Sequence, residues 1–199
     1  MTRHLSEIER RAQILRAARA IFIERGYLAA RVEDVAKRAS LSKGAVYFYF
    51  DSKREIFDAL VEEELAVTSS FLESAERDPR PAAVKLVDLG RKYLDYFAGL
   101  KTPPRFFLLM SEMAIRDEET RKRVNAIHEQ FVEATARVIE QGMQEGAFRQ
   151  YDPKAVAQML KAIIDGLAGQ SAVGVRPDVE RLSTDGIRIL MQGLLPDGV

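Results

Sequence analysis

Ser42, Lys43 and Gly44 stand together at the start of a short helical pattern, and their types suit the capture of an anion. A serine at this place caps a helix and leaves the first backbone amides facing outward, where an oxyanion can sit. Lys43 falls in the first turn, where the helix dipole disfavours a cation, and Lys53 and Arg54 fall likewise at the start of the next helical pattern. Cations so placed make sense when a phosphate lies between the charge and the amides. Gly44 costs about 1 kcal/mol of helix propensity against alanine, but it lets a foreign backbone approach closely. Tyr47, Phe48, Tyr49 and Phe50 follow as an aromatic run. Successive helical residues are about 100° apart, so four in a row cannot all face one core. Val46 and Phe50, at i and i+4, are expected inward, and Phe48 is read with Phe50 as a packed cluster. Tyr47 and Tyr49 are expected outward, with hydroxyls for phosphate oxygens.

These residues are held by a pattern that reads as helix throughout, with no run of alternating apolar and polar residues. Ser6 with Glu9 forms a capping box that opens a helix to about Arg25. Its stripe includes Ile8, Leu15, Ala18 and Phe22, and Gly26 is expected to end it in the left-handed helical conformation. A short helix over 32–39 buries Val32, Val35, Ala36 and Ala39. Ser40 and Leu41 make a turn, and a third helix runs from Ser42 to about Phe48. Ser52 and Glu55 form a second capping box, opening a long helix to about Arg77. Beyond the break at Asp78–Pro81, helices are expected at about 81–99, 104–115, 118–144, 153–173 and 178–194, separated by Lys101-Thr102-Pro103-Pro104, Arg116-Asp117, 146–153 and 174–178. The expected architecture is all-α, about nine helices. A three-helix helix-turn-helix head (1–51) precedes a helical body (52–199), and helix 52–77 connects the two.

Net charge is zero over 199 residues, but it is unevenly placed. Residues 1–54 carry twelve Lys or Arg against six Asp or Glu, a net +6, and the remainder carries −6. A basic head on an acidic body is the electrostatic footprint of a nucleic-acid binder. There is no cysteine, which excludes disulfides, thiolate nucleophiles and Cys-based zinc sites. The two histidines, His4 and His128, form no ligand constellation, and nothing arranges a catalytic triad. No metal, cofactor or enzymatic activity is expected. The polar start has no signal-peptide core, and no run approaches the roughly eighteen apolar residues of a membrane span. The expected compartment is the cytoplasm, with no membrane partner.

From about Ala12 to Lys53 the chain resembles the DNA-binding domain of the TetR/AcrR family of bacterial regulators. The residues that carry the resemblance are Ile14-Leu15, Ala17-Ala18, Phe22, Gly26-Tyr27, Val35-Ala36, Ser42-Lys43-Gly44, Val46-Tyr47, Tyr49-Phe50 and Lys53. The resemblance implies a two-fold dimer on a palindromic double-stranded operator, usually repressing, with Lys43, Gly44, Tyr47, Tyr49 and Lys53 at the DNA. Three positions depart from the family pattern. Arg31 stands where a capping Thr is common, and it can still pair with a phosphate. Ser40 stands where Gly is common, and Ala45 where a hydroxyl residue is common. Ala45 and Val46 are then the candidates for touching thymine methyls. Ser42 and Arg31 complete the expected DNA contacts.

The body carries aromatic and Met side chains at helical spacing: Phe71, Tyr93, Tyr96, Phe97, Phe107, Met110, Met113 and Phe131, with His128 among them. Together they are read as lining a mostly apolar cavity for a small hydrophobic or amphipathic effector, where the resemblance also puts ligands. Residues 155–173 are apolar nearly all round and must be buried on two sides. Met159, Ile163, Gly166 and Leu167, with Ile187, Leu190, Met191 and Leu194 from the last helix, are expected to pair with a second copy as a four-helix interface.

Overall fold

The computed structural model describes residues 6–98 and 104–194. His4, the predicted helix end at residue 99 and the predicted separator at 101–103 lie outside the described residues. Every described element is helical: α1 (Glu7–Ala29), α2 (Val32–Arg38), α3 (Lys43–Tyr47), α4 (Lys53–Arg77), α5 (Ala82–Ala98), α6 (Pro104–Arg116), α7 (Glu118–Gln144) and α8 (Pro153–Ala172). A terminal helix begins as α9 (Val179–Arg181), passes through a π-helical turn (Leu182–Gly186) and continues as α10 (Ile187–Leu194). The fold is all-α. The chain divides into two compact units, Met1–Leu65 and Ala66–Val199, and the division falls inside α4.

In the first unit the capping box at Ser6 forms as the spacing predicts, with Ser6 N–H on the Glu9 carboxylate at 2.8 Å and Glu9 N–H on Ser6 Oγ at 3.3 Å. Two local expectations change. Ile8 is 81% exposed, so the buried stripe of α1 begins at Ile14 and runs through Leu15, Ala18, Ile21 and Phe22. Gly26 has φ 75° but ψ 158°. It therefore leaves the helix through a left-handed φ with an extended ψ, and a short turn carries on to Ala29. The core closes on these residues with Val35 and Val46 and with Ile56, Phe57, Leu60 and Val61 of α4. Arg19 binds Glu63 at 3.1 Å and also Glu64, tying α1 to α4. At the start of α4, Ser52 Oγ accepts from Glu55 N–H at 3.0 Å, but the Glu55 carboxylate takes the Asp51 N–H, not that of Ser52. Only half of the second predicted box forms.

The second unit packs α4, α5, α7, α8 and the terminal helix around Leu72, Leu89, Tyr93, Phe131, Ile139 and Ala157. Asp117 caps α7 through the Thr120 N–H at 2.8 Å, and Asp152 caps α8 through Lys154 N–H at 2.9 Å, with Pro153 at the first helical position. No described helix is long and apolar enough to cross a membrane.

Candidate nucleic-acid interface and interior cavity

Helices α2 and α3 are joined by a turn whose hydrogen bonds fix their angle. Leu41 N–H donates to Ala36 O at 2.8 Å and Ser40 N–H to Lys37 O at 3.1 Å, the paired bonds of a Schellman motif. Such a motif puts its turning residue at positive φ, and here that residue is Ser40, at φ 56°. Gln13 Nε2 donates to Ala39 O at 2.7 Å and fastens the turn to α1. Beyond it, Ser42 Oγ accepts from Ala45 N–H at 3.1 Å and starts α3 as predicted. Arg11 donates to Tyr49 O at 2.6 Å, and its guanidinium lies 4.1 Å from the Phe50 ring centroid, closing the end of α3 against α1.

The face that α3 presents to solvent consists of Ser42, Lys43, Gly44, Tyr47 and Phe48, with Tyr49 half-buried beside them. A Cβ on Gly44 would meet only Ser42 Oγ, at 4.0 Å. The chain itself leaves room for a side chain there. The Lys43 ammonium lies 2.5 Å from the Glu33 carboxylate of α2 and 5.7 Å from the Tyr47 ring centroid. Hydrogen bonding to Lys43 holds Glu33 below the ordinary carboxylate range, and the same bond raises Lys43. Arg31 is exposed at the start of α2, where the Asp34 carboxylate accepts its N–H at 3.3 Å and also binds Arg25 at 2.7 Å.

Three expectations are corrected by this geometry. Val46 is wholly buried, so it cannot touch a thymine methyl; only half-buried Ala45 remains near the surface. Phe48 is 80% exposed, with its ring 5.0 Å from that of Tyr49, and is not part of a closing cluster. With Val46 and Phe50 both inward, Phe48 is about 200° round the helix from Val46 and has to point out. Lys53 turns its ammonium inward, onto the carbonyls of Tyr27 (2.8 Å), Leu28 (3.2 Å) and Ala30 (2.9 Å) and over the Tyr27 ring at 4.5 Å. The end of α1 therefore accounts for a cation at the start of α4 without a phosphate. Partial burial lowers the Lys53 pKa from its ordinary value.

In the second unit the predicted aromatics meet one another. Phe71 packs edge-on to Tyr93 (5.4 Å) and Tyr96 (5.8 Å), Tyr93 to Phe131 (5.5 Å), and Phe97 to Phe107 (6.2 Å). These contacts fill space instead of enclosing it. Met110 and Met113 are buried in α6 away from any cavity described below, and His128 is exposed on α7. Burial pushes the Tyr93 phenol far above its ordinary value, with the Thr68 side chain opposing.

The interior space lies elsewhere. A cavity of about 280 Å³ is bounded by α5 (Leu86, Gly90, Leu94), α7 (Phe131, Thr135), α8 (Leu160, Ile163, Ile164, Leu167) and the terminal helix (Ile187, Leu190, Met191, Leu194). Of the nine predicted effector residues, Phe131 alone lines it; Tyr93 and Phe97 line an adjoining void of about 10 Å³. Leu86, Gly90, Leu94 and Thr135 were missed because nothing distinguishes them from ordinary helical core in sequence. Six residues predicted to meet a second copy (Ile163, Leu167, Ile187, Leu190, Met191 and Leu194) also border this cavity, and of these Leu194 is buried within its own chain. Met159, Ile163 and Gly166 of α8 and Ile189 of α10 are exposed. Among the described residues no cluster of three or more His, Asp or Glu is placed to hold a metal.

Comparison with known proteins agrees with this geometry. The profile for bacterial regulatory proteins of the TetR family matches residues 14–60, and that for the C-terminal region of BetI-type transcriptional repressors matches residues 103–190. The uncharacterized HTH-type transcriptional regulator YfiR of Bacillus subtilis is 30% identical over 162 residues, covering 80% of this chain and 78% of that protein. The fatty acid metabolism regulator protein of the same organism is 25% identical, covering 92% and 94%. Among solved structures, a transcriptional regulator from Saccharomonospora viridis in complex with choline superposes with TM-score 0.81 at 22% identity, over 95% of this chain and 99% of that one. FadR of Bacillus subtilis in complex with stearoyl-CoA superposes with TM-score 0.72 at 24% identity, over 92% and 98%. The helix-turn-helix of residues 32–47, the all-helical body and these matches agree: the chain belongs to the TetR family of bacterial regulatory proteins, and it is a DNA-binding transcriptional regulator.

Proposed function

We propose that the chain is a cytoplasmic homodimeric repressor that binds a palindromic operator and is released when a small hydrophobic molecule fills its body. The observation that carries the DNA-binding surface is the outer face of α3. It carries a cation, two exposed aromatic rings and a glycine whose missing side chain serves no internal need. A surface of this kind suits close approach by a sugar-phosphate strand. Lys43, Ser42, Gly44, Tyr47, Tyr49 and Arg31 supply the contacts, with Ala45 nearest the bases and Phe48 added by its exposure. Lys53 supports the interface from beneath, by holding the end of α1.

Two copies would place two such faces on successive major grooves, about 34–36 Å apart. The apolar residues that α8 and α10 leave exposed, Met159, Ile163 and Ile189, offer a surface for the second copy. A cavity of about 280 Å³ favours a sensor over a regulator with a filled core. Relatives crystallised with stearoyl-CoA and with choline support the effector reading. Helix α4 belongs to both units and is the covalent route by which filling the body could reach the reading head.

The test is a Lys43→Ala, Tyr47→Ala double variant. Both side chains are exposed, so the fold should persist. Operator affinity should fall at least tenfold, and its dependence on salt should flatten. A variant that held the operator as tightly as wild type would remove α3 from the interface.

A further inference from the structure

Resting on the reading of this cavity as the effector site, we propose that it selects an uncharged, mainly aliphatic molecule bearing one hydroxyl or carbonyl oxygen, which hydrogen-bonds to Thr135. No Lys, Arg, Asp, Glu or His lines the cavity. The nearby lysines are committed elsewhere. Lys85 donates to Gln141 Oε1 at 2.9 Å, and Lys161 pairs with Asp165 on its own helix. A ligand carboxylate or ammonium would therefore enter without a partner, and an unpaired buried charge costs far more than apolar contact returns.

Thr135 is the exception in an aliphatic and aromatic wall. It is 1% exposed, and its Oγ1 has no hydrogen-bond partner. Threonine in a helix commonly returns its hydroxyl to the carbonyl four residues back, and here it does not. A buried hydroxyl without a partner is costly, and native structures rarely leave one so. Oγ1 is closed off as the side chain stands, so binding turns the Thr135 side chain to bring the hydroxyl to the cavity; a ligand oxygen then satisfies it, and a hydroxyl serves equally for a ligand that donates or one that accepts. Tyr93 Oη and Ser171 Oγ are also unpartnered, but both residues line the adjoining void of about 10 Å³, which has no room for a ligand. At roughly 30 Å³ per atom, water's share of liquid volume, the main cavity of about 280 Å³ takes on the order of ten non-hydrogen atoms.

Gly90 offers a control. It lines the cavity, and a Cβ built on it meets nothing within 4 Å. Gly90→Leu thus extends into the space, and a helical glycine is replaced by a better helix former.

The experiment is calorimetric titration of the full chain at pH 8 with 1-nonanol, 2-nonanone, nonanoate and nonylammonium, each of about ten non-hydrogen atoms, with operator release followed separately. Nonanol and nonanone should bind at least tenfold more tightly than either ion. Thr135→Val should weaken nonanol about threefold to tenfold, and Gly90→Leu should abolish binding of both neutral probes. Nonanoate or nonylammonium binding as tightly as nonanol, no binding by either neutral probe, or an unchanged nonanol affinity in Thr135→Val, would each overturn the proposal. Neutral selectivity without operator release would sink the effector reading and leave the ligand class standing. Release by a charged lipid alone would do the reverse.

Discussion

The ammonium of Lys43 and the carboxylate of Glu33 are 2.5 Å apart, joining α3 to α2 across the turn. Both side chains are exposed, so the pair contributes little to folding, but it occupies a cation that faces outward. A phosphate at Lys43 must compete with Glu33 and tolerate its negative charge. Glu33→Gln should therefore raise operator affinity about twofold to fivefold and steepen its salt dependence. Titrations at two ionic strengths check this.

Lys53 should behave as a structural residue. Lys53→Met leaves the carbonyls of Tyr27, Leu28 and Ala30 without their donor. Water reaches part of this site, so the loss should be about 1–2 kcal/mol. Denaturant unfolding followed in the head measures it. Weaker DNA binding by this variant should track the loss of folded head.

Ser40 holds φ 56° at the turn of the Schellman motif. An L-residue pays roughly 1–2 kcal/mol for that conformation, part of which glycine's greater chain entropy offsets. Ser40→Gly should stabilise the chain by about 0.5–1 kcal/mol, seen as a higher denaturation midpoint with an unchanged slope.

Asp78 accepts the Arg80 side chain and the Arg80 N–H, which hold its carboxyl down to about 2 from 3.8. The folded value lies below the unfolded one. The stabilisation is therefore complete above about pH 3.8 and is lost as pH falls through about 2. Asp78→Asn should unfold more readily than wild type at neutral pH, and the difference should vanish at the bottom of that window. Carboxyl NMR titration reports the midpoint directly.

Helix boundaries were legible because their signals are local. Ser6 and Ser42 cap where spacing places them, Asp117 and Asp152 cap from within the expected separators, and the described prolines fall between helices or at their first position. The outward face of α3 was legible to the extent that periodicity was applied strictly; fixing Val46 and Phe50 inward already pointed Phe48 out. Lys53 was not legible, because its partners are backbone carbonyls more than twenty residues away and carry no side-chain signature. The cavity was least legible. Aromatic content pointed to Phe71, Tyr96 and Phe107, yet rings that touch edge to face fill volume. Empty space arose instead where a glycine and aliphatic residues from four helices fail to meet, a property of packing that no single helix displays.

Near the end of α7, the ring of Phe148 lies over Gly142, so that a Cβ there would collide with Cδ2 and come within 2.9 Å of Cγ. The ring is buried, so moving it aside would disturb the core around it. Positions 142 and 148 are thus bound to one another in descent: among related chains, any residue larger than glycine at the first should be found only with something smaller than phenylalanine at the second.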